Sequence, residues 1–486
     1  MDEESLKVSF IHNNGGEVFA GDLPPIDGWR GLLQASWKES KKLWYLAGPA
    51  IFTSLCQYSL AAITQTFVGH VGDIELAAFS IANSVISGLS YGIMLGMGSA
   101  LETLCGQAFG AKQLRMLGVY MQRSMVILLV TACLMSTIYV WSAQILKLIG
   151  EEEEIAEEAG KLAVWMLPQL FATAMVFPLA KFLQAQSKVL VMAVIAGGAL
   201  VLHVLFSWLL IFKWGCGLWG AAVMLDISWW IVVLAQMAYI LSGTCKEAWG
   251  GFTWAAFRNL GAFVRLSFAS GVMLCLECWY FSLLVLLSGY IKNAKVAIDA
   301  ISICMNLIGW EMMISLGFNV AISVRVSNEL GAGHPRAAKF AVVTVLTTML
   351  IIGFILMAVI FITRNEFAVA FTSSEEVMKV VSNLATLLAF TMLLNSVQPI
   401  FGGVAVGAGW QALVAYINLA SYYIFGVPLG CLLGYYFDMG VKGIWIGMIC
   451  GTTLQTIVLC FITFRTKWNR EASQAIQNIK EWVGRA

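Results

Sequence analysis

The chain has 486 residues, of which 59% are hydrophobic and only 12% are charged. Soluble domains carry about 25% charged residues, so most of the surface of this protein does not face water. The net charge of +1 excludes a strongly basic surface, and we expect no nucleic-acid partner.

The first 42 residues are polar and begin with the acidic run MDEES. They lack the basic start and the short apolar core of a cleavable signal peptide. We therefore expect a disordered cytosolic arm over residues 1–42, ending in a short amphipathic stretch near Trp29 to Trp37. The first apolar segment must then direct the chain to the membrane.

Twelve apolar segments follow, and each is long enough to cross a bilayer as a helix of about 20 residues. The longest polar connector between them covers residues 242–262. The predicted spans are 43–67, 76–101, 117–141, 155–180, 189–212, 218–241, 263–288, 296–320, 338–362, 378–401, 411–435 and 441–464. The sequence thus predicts an all-α integral membrane protein with twelve transmembrane helices.

The distribution of Lys and Arg supports the even number of spans. If both termini lie on one side, that side holds 20 of the 29 basic residues and the other side holds eight, with the remote Lys7 left aside. Cytosolic loops carry such an excess. We therefore expect both termini to be cytosolic.

The chain repeats itself after 221 residues. Within residues 93–115, seven residues are identical to those found 221 positions later, and the two segments end spans two and eight. A repeat six spans apart keeps its orientation, and parallel repeats often enclose a transport site. Convergent small-residue packing is the alternative explanation. We predict an N-terminal lobe over 43–241, a cytosolic linker over 242–262, a C-terminal lobe over 263–464 and a cytosolic tail over 465–486.

Two acidic residues lie in the middle of predicted spans. Glu277 is in the run VMLCLECWYFSLLVLL, with no Lys or Arg within eleven residues on either side, and Glu311 is in NLIGWEMMISLGF. An ionised carboxylate is costly in hydrocarbon, which favours the protonated form. We therefore predict that these residues exchange a coupling proton. The alternative is a structural role, in which a neighbouring helix supplies the hydrogen-bond partners of the carboxyl group.

Polar residues also mark the end of span ten, LLNSVQPIFGGVAVGAG. Asn395 and Gln398 share a helix face, and the proline and glycines that follow predict a bent or broken helix beside a cavity. Aromatic residues within spans are more often packing residues than ligand contacts. Our candidate substrate-binding residues are Gln57, Tyr280, Asn306, Asn395 and Gln398.

Other classes of protein lack support in the sequence. There is no P-loop and no catalytic motif, so we expect neither an ATP-driven pump nor an enzyme. Cys275 and Cys278 form a single C-x-x-C, whereas a structural zinc site needs four ligands. We expect no metal and no cofactor.

Several segments resemble the plant branch of the multidrug and toxic compound extrusion (MATE) family. They are FVGHVG (67–72), GSALETLCGQAFGA (98–111), FLQAQSK (182–188), CLECW (275–279) and SVRVSNELGAG (323–333). The resemblance covers residues 40–465 and implies two pseudo-symmetric six-helix lobes around a cleft that opens alternately to each side. WEMMISLGF (310–318) and LLNSVQPI (393–400) are most similar to the subgroup associated with flavonoid transport into the vacuole.

The resemblance places the family's span-seven carboxylate at Glu277 and implies protons as the coupling ion. Three other family carboxylates fall at Ser282, Asn306 and Asn395, which carry no charge. Neutral or anionic solutes such as flavonoid glycosides therefore fit better than cationic drugs. The resemblance implies a monomeric proton antiporter in the bilayer of the vacuole, with the plasma membrane as the alternative location. A channel-like anion (chloride) pathway is the alternative function.

We predict that tags at residue 1 and residue 486 react with the same membrane-impermeant reagent on the cytosolic side. An even number of spans returns the chain to the side on which it started, so both tags should be accessible together. Reaction of the two tags from opposite sides of the membrane would contradict the twelve-span topology.

Overall fold

The computed structural model describes residues 21–26, 28–258, 260–288, 294–372 and 374–484. Residues 1–20 of the expected disordered arm and the last two residues of the tail lie outside this part. Among the described residues, eleven helices are long and apolar enough to cross a membrane. A twelfth span consists of Glu153–Trp165 and Leu167–Ala185, which meet at an angle of 49°. The prediction of an all-α protein with twelve spans is thereby confirmed.

We number the spans α1 to α12 in chain order and call the helix after them α13. They are α1 (Gly28–Val68), α2 (Asp73–Gly110), α3 (Leu114–Val140), α4 (Glu153–Trp165 with Leu167–Ala185), α5 (Val189–Lys213), α6 (Gly217–Thr244), α7 (Leu260–Ser288), α8 (Ala294–Gly331), α9 (Pro335–Thr363), α10 (Glu375–Ala408), α11 (Gln411–Tyr436), α12 (Gly440–Arg465) and α13 (Trp468–Gly484). Short helices lie at Ser142–Leu148, Trp254–Phe257 and Phe367–Ala370.

The first helix begins earlier than the sequence pattern predicts. Residues 28–42 are helical and continuous with the first span, although we expected them to belong to a disordered arm. Their sequence contains no proline, and nine of the 15 residues are Leu, Lys, Arg, Gln, Glu or Ala, which favour helix. Glu39 is buried there and pairs with Arg325 of α8 at 2.8 Å, so tertiary contacts stabilise this extension.

The two halves of the chain repeat helix by helix. Residues 73–110 of α2 and 294–331 of α8 have equal length and lie 221 positions apart, and α3 and α9 begin at Leu114 and Pro335 with the same offset. The offset also places Pro178, inside α4, on Pro399, inside α10. The repeat therefore extends well beyond the ends of spans two and eight. We call α1–α6 the N-lobe and α7–α12 the C-lobe.

The lobes meet where α2 and α8 end. A Cβ atom at Gly110 would overlap the carbonyl oxygen of Asn328, and a Cβ atom at Gly331 would overlap the carbonyl oxygen of Gln107. The 221-residue offset exchanges these two contacts, so the interface is symmetric. Small residues of this kind let helix backbones approach closely within a membrane. We call this the closed end of the bundle; α1 begins and α12 ends here.

Polar contacts reinforce the closed end. The hydroxyl of Thr103 donates a hydrogen bond to the carbonyl oxygen of Val406, and the side chain of Asn328 donates to the carbonyl oxygen of Ala185 at 3.2 Å. Helix α13 packs nearby, where the indole of Trp410 donates to Glu471 at 3.0 Å. The N-lobe and the C-lobe are therefore joined both by backbone packing and by hydrogen bonds.

We predict that Gly110→Ala and Gly331→Ala each destabilise closure at this end. The added methyl group meets backbone, which cannot rotate away, and overpacking of this kind costs about 1–3 kcal/mol. Electron-paramagnetic-resonance distances between spin labels on the ends of α2 and α8 should shift to larger values. Gly92→Ala in α2 and Gly309→Ala in α8 are the matched controls, because a Cβ atom at either position meets open space. Distances equal to those of the controls would contradict the prediction.

Candidate functional site

Glu277 of α7 and Gln398 of α10 meet inside the C-lobe. The amide nitrogen of Gln398 donates to the carboxyl oxygen Oε1 of Glu277 at 2.9 Å, and it lies 3.4 Å from the hydroxyl of Tyr422 in α11. Glu277 is partly buried and Gln398 is fully buried. The structure thus brings together two predicted residues and adds Tyr422, which the sequence reasoning missed.

Tyr280 lies behind this group. Its ring stacks on that of Tyr422 with a centroid distance of 4.2 Å and an angle of 7°, and its hydroxyl donates to the carbonyl oxygen of Met448 at 2.9 Å. Both tyrosines are fully buried. A Cβ atom at Gly426 or Gly451 would overlap the Tyr280 hydroxyl, so these glycines make room for it. The geometry gives Tyr280 a packing role beside the carboxyl group.

Glu311 of α8 forms a second carboxyl site, with Ser396 of α10. Its side chain is almost completely buried; Oε1 lies 3.1 Å from the Ser396 hydroxyl, and Oε2 has no partner among the described residues. The same hydroxyl lies 2.9 Å from the carbonyl oxygen of Met392. A hydroxyl has one hydrogen and can donate to only one of these acceptors. If it donates to Met392, as helical serines often do, the contact with Glu311 requires a proton on the carboxyl group.

The two asparagines of the prediction lie apart. Asn395 is buried in the C-lobe and borders a small cavity of about 20 Å³; its amide nitrogen has no partner among the described residues. Asn306 is exposed and donates to the carbonyl oxygen of Ser302 in its own helix at 2.9 Å. The structure therefore does not bring Asn306 to the carboxyl groups.

The end of α10 is continuous, so of the predicted bend or break the structure excludes the break. Residues Glu375–Ala408 form one helix that contains Pro399. The glycines serve close packing instead, because a Cβ atom at Gly403 or Gly407 would lie within 2.8 Å of the carbonyl oxygens of Asn319 and Ser323 in α8. Helix α10 can thus hold the partners of both Glu277 and Glu311 against α7 and α8.

A cavity of about 330 Å³ opens in the N-lobe, and Met313, Leu316 and Val320 of α8 complete its wall. Its wall combines aromatic rings with hydroxyl and amide groups, and Gln57 is the one predicted residue on it. The polar and aromatic residues of the wall include Thr53, Gln57, Tyr58, Asn83, Ser87, Ser90, Tyr91, Tyr139, Gln169, Thr173, Phe177, Lys181, Gln184 and Trp229. Such a wall suits an organic ligand that has both rings and polar groups.

Sequence reasoning missed most of this cavity because its wall comes from many spans, whose adjacency one sequence does not reveal. A signal was nevertheless present in span four. Gln169, Thr173 and Gln184 recur at spacings that place them on one face of a helix, and all three line the cavity. A polar stripe inside an apolar span is the pattern that could have found it.

The comparisons with known proteins agree with this architecture. The MatE family model matches residues 49–209 and 269–432, which is more than half of the chain. Protein DETOXIFICATION 29 of Arabidopsis thaliana is 56% identical over 463 residues, which are 95% of this chain and 93% of the relative. Protein DETOXIFICATION 33 of the same plant is 57% identical over 451 residues, which are 92% of this chain and 93% of the relative. The chain belongs to the MATE family.

Solved structures of MATE transporters share the fold. The crystal structure of the eukaryotic MATE transporter AtDTX14 matches with a TM-score of 0.87 and 37% identity, covering 92% of this chain and 100% of that one. The Vibrio cholerae MATE transporter VcmN in the bent form matches with a TM-score of 0.79 at 18% identity, covering 91% and 99%. As a MATE protein, the chain is a multi-pass membrane transporter of organic compounds and not an enzyme.

A buried ion pair forms part of the N-lobe site of this MATE transporter. The ammonium group of Lys181 lies 2.6 Å from Oε2 of Glu102, and both side chains are buried. Oε1 of Glu102 and the amide oxygens of Gln169 and Gln184 have no partner among the described residues. Buried acceptors normally accept a hydrogen bond, and these oxygens can accept one from water or from a ligand hydroxyl group.

In the described part of the chain, no three His, Cys, Asp or Glu side chains are grouped so that they could hold a metal ion. The eleven cysteines are unpaired with one another in the structure, including Cys275 and Cys278.

We predict that Glu102→Gln strongly destabilises the protein, whereas Glu102→Gln combined with Lys181→Met recovers most of the loss. The single change leaves the Lys181 ammonium buried without a counter-charge, which costs about 3–5 kcal/mol, and the double change removes both charges. Melting temperatures of the purified variants in one detergent give the comparison. Equal melting temperatures for the single and double variants would contradict an energetic coupling between Lys181 and Glu102.

Proposed function

We propose that this MATE transporter is a proton antiporter that exchanges protons for small organic solutes, such as flavonoid glycosides, by alternating access. The observation that carries the proposal is the pair of carboxyl groups in the C-lobe. Among the described residues, neither Glu277 nor Glu311 takes part in an ion pair, and each is held by a neutral side chain of α10. Without a cation beside it, the ionised form of an acid is costly in a low-dielectric site, so neither carboxyl group is locked in the charged state.

Coupling requires that proton binding favour one conformation over the other. Loss of a proton from Glu277 places a negative charge beside the Gln398 amide and close to the Tyr280–Tyr422 stack, all of which are tightly packed. Because Gln398 and Ser396 lie on the same helix, charging either carboxyl group changes how α10 packs against α7 and α8. This is the element through which we propose that the proton acts on the cleft between the lobes.

The N-lobe cavity is the proposed substrate site. Its aromatic rings can stack on a planar ring system, while Gln57, Asn83 and the unpartnered amide oxygens of Gln169 and Gln184 can hydrogen-bond to hydroxyl groups. A neutral polyhydroxylated aromatic solute fits this chemistry better than an organic cation, because the charged group described in the wall is Lys181, which is already paired with Glu102 behind it.

We further propose that both termini face the cytosol and that the monomer works in the vacuolar membrane. With this orientation the closed end faces the cytosol. The support for the vacuole is the similarity of residues 310–318 and 393–400 to the flavonoid-transporting subgroup. A fluorescent fusion that marks the plasma membrane instead would contradict this location.

We predict that Glu277→Gln abolishes solute accumulation driven by a pH gradient, while solute exchange without a gradient continues. Glutamine has nearly the same volume as the protonated acid but cannot release a proton. Glu311→Gln should impair the same uptake. The measurement is uptake of a flavonoid glycoside into sealed proteoliposomes, with the pH inside and outside set independently.

Asp299→Asn is the matched control, because Asp299 is an exposed carboxyl group on the same helix as Glu311. Its uptake and pH dependence should equal those of the parent. Accumulation by Glu277→Gln with unchanged pH dependence would refute its role. A chloride flux that follows voltage and persists after an uncoupler removes the pH gradient would favour the anion pathway over antiport.

A further inference from the structure

The segment that joins the two lobes exposes a group of aromatic side chains. It covers residues 245–258, between the end of α6 and the start of α7. Phe252, Trp254 and Phe257 are exposed by 79%, 83% and 56%. We call these three residues the linker aromatic face. Exposing three large aromatic rings to water costs free energy, and exposed apolar patches of this kind mark interaction surfaces.

The linker is held firmly in the orientation that exposes these rings. The side chain of Gln122 in α3 donates to the carbonyl oxygen of Gly251 at 3.0 Å and accepts from the backbone nitrogen of Thr253 at 2.9 Å. The guanidinium of Arg123, which is fully buried, donates twice to the carbonyl oxygen of Ala255, at 3.2 and 3.3 Å. The exposure of the rings is therefore a property of an anchored segment.

The aromatic face is followed along the chain by exposed apolar residues at the start of α7. Helix α7 starts two residues after Arg258, and its exposed apolar residues Val264 and Phe268 lie four positions apart, on one helix face. Because the linker lies at the ends of two spans, its depth is that of the boundary between hydrocarbon and head groups. Aromatic side chains are enriched at this depth.

Basic side chains surround the same face. Lys246, Arg258 and Arg265 are exposed, against one exposed acid in the segment, Glu247. Juxtamembrane basic residues attract anionic head groups, and an apolar face flanked by cations is typical of segments that lie in the membrane interface. Exposed apolar side chains that follow one another from the linker onto a membrane-spanning helix favour lipid over a protein partner.

We propose that the linker aromatic face inserts into the head-group region of the bilayer and that Lys246, Arg258 and Arg265 bind anionic phospholipid head groups. The linker then ties the N-lobe, through Gln122 and Arg123, to a fixed depth in the membrane at the point where the C-lobe begins. This surface is separate from the carboxyl groups and from the cavity, so it stands independently of the proposed antiport.

The test places a fluorescent amino acid at Trp254 of the full-length protein in lipid vesicles. Lipids that carry a doxyl quencher near the head group should quench this probe more strongly than a probe at Gln474, which is exposed on the polar side of α13. The quenching should increase when phosphatidylserine replaces part of the phosphatidylcholine. Combining Lys246→Gln, Arg258→Gln and Arg265→Gln should remove that increase and leave the quenching in pure phosphatidylcholine unchanged.

Equal quenching at both positions, with full quenching of the Trp254 probe by aqueous iodide, would overturn the proposal. Quenching by lipid that does not respond to phosphatidylserine would overturn its anionic-lipid part. Protection of the probe from iodide in native membranes but not in purified vesicles would assign the face to a protein partner instead. Circular dichroism and the elution volume of each variant check that the fold is retained.

Discussion

The close backbone contact between α2 and α8 sets the position of everything else in the molecule. Gly110 packs on the carbonyl of Asn328 and Gly331 packs on the carbonyl of Gln107, so the main chains of the two lobes are in direct contact here. In a membrane, where lipid is as apolar as a leucine side chain, such packing and local hydrogen bonds replace the hydrophobic effect as the source of helix association. These contacts therefore fix the position of each lobe relative to the other at the closed end of the bundle.

A second pair of close contacts between the lobes lies further along α2 and α8, toward the middle of the bundle. A Cβ atom at Gly96 in α2 would meet the backbone of Gly271 in α7, and a Cβ atom at Gly317 in α8 would overlap Ile51 of α1. The 221-residue offset relates Gly96 to Gly317, so each lobe inserts its second helix against the first helix of the other. Opening of the closed end must separate both sets of contacts together, which favours rigid rotation of whole lobes over local bending.

Much of the fold could be predicted from the sequence, because lipid imposes its length and polarity on every span. The start of α1 could not, since residues 28–42 are too polar to be read as part of a span, and the pair of Glu39 with Arg325 that stabilises them joins distant parts of the chain. For the site, an isolated charge in an apolar run was a sufficient signal to single out Glu277 and Glu311. The N-lobe cavity and Tyr422 depend on which spans are neighbours, and residue types alone do not contain that information. Asn306 was selected by its position in a family pattern, yet its side chain is exposed and donates to the carbonyl oxygen of Ser302 in its own helix.

The two lobes share a backbone arrangement but carry different side chains at equivalent positions. Under the 221-residue offset, Glu311 and Gln398 of the C-lobe correspond to Ser90 and Phe177, which line the N-lobe cavity. Conversely, Glu102 of the N-lobe ion pair corresponds to Ser323, which packs against Gly407. The positions that hold Glu311 and Gln398 in the C-lobe thus line a cavity in the N-lobe. On the proposed assignment, a proton at the C-lobe carboxyl groups and a solute in the N-lobe cavity would not compete for one pocket, and each could act on the common α2–α8 contact. The carboxyl groups and the cavity lie in different lobes because different side chains fill two copies of one backbone arrangement. This separation is the physical basis of the proposed exchange of protons for a solute.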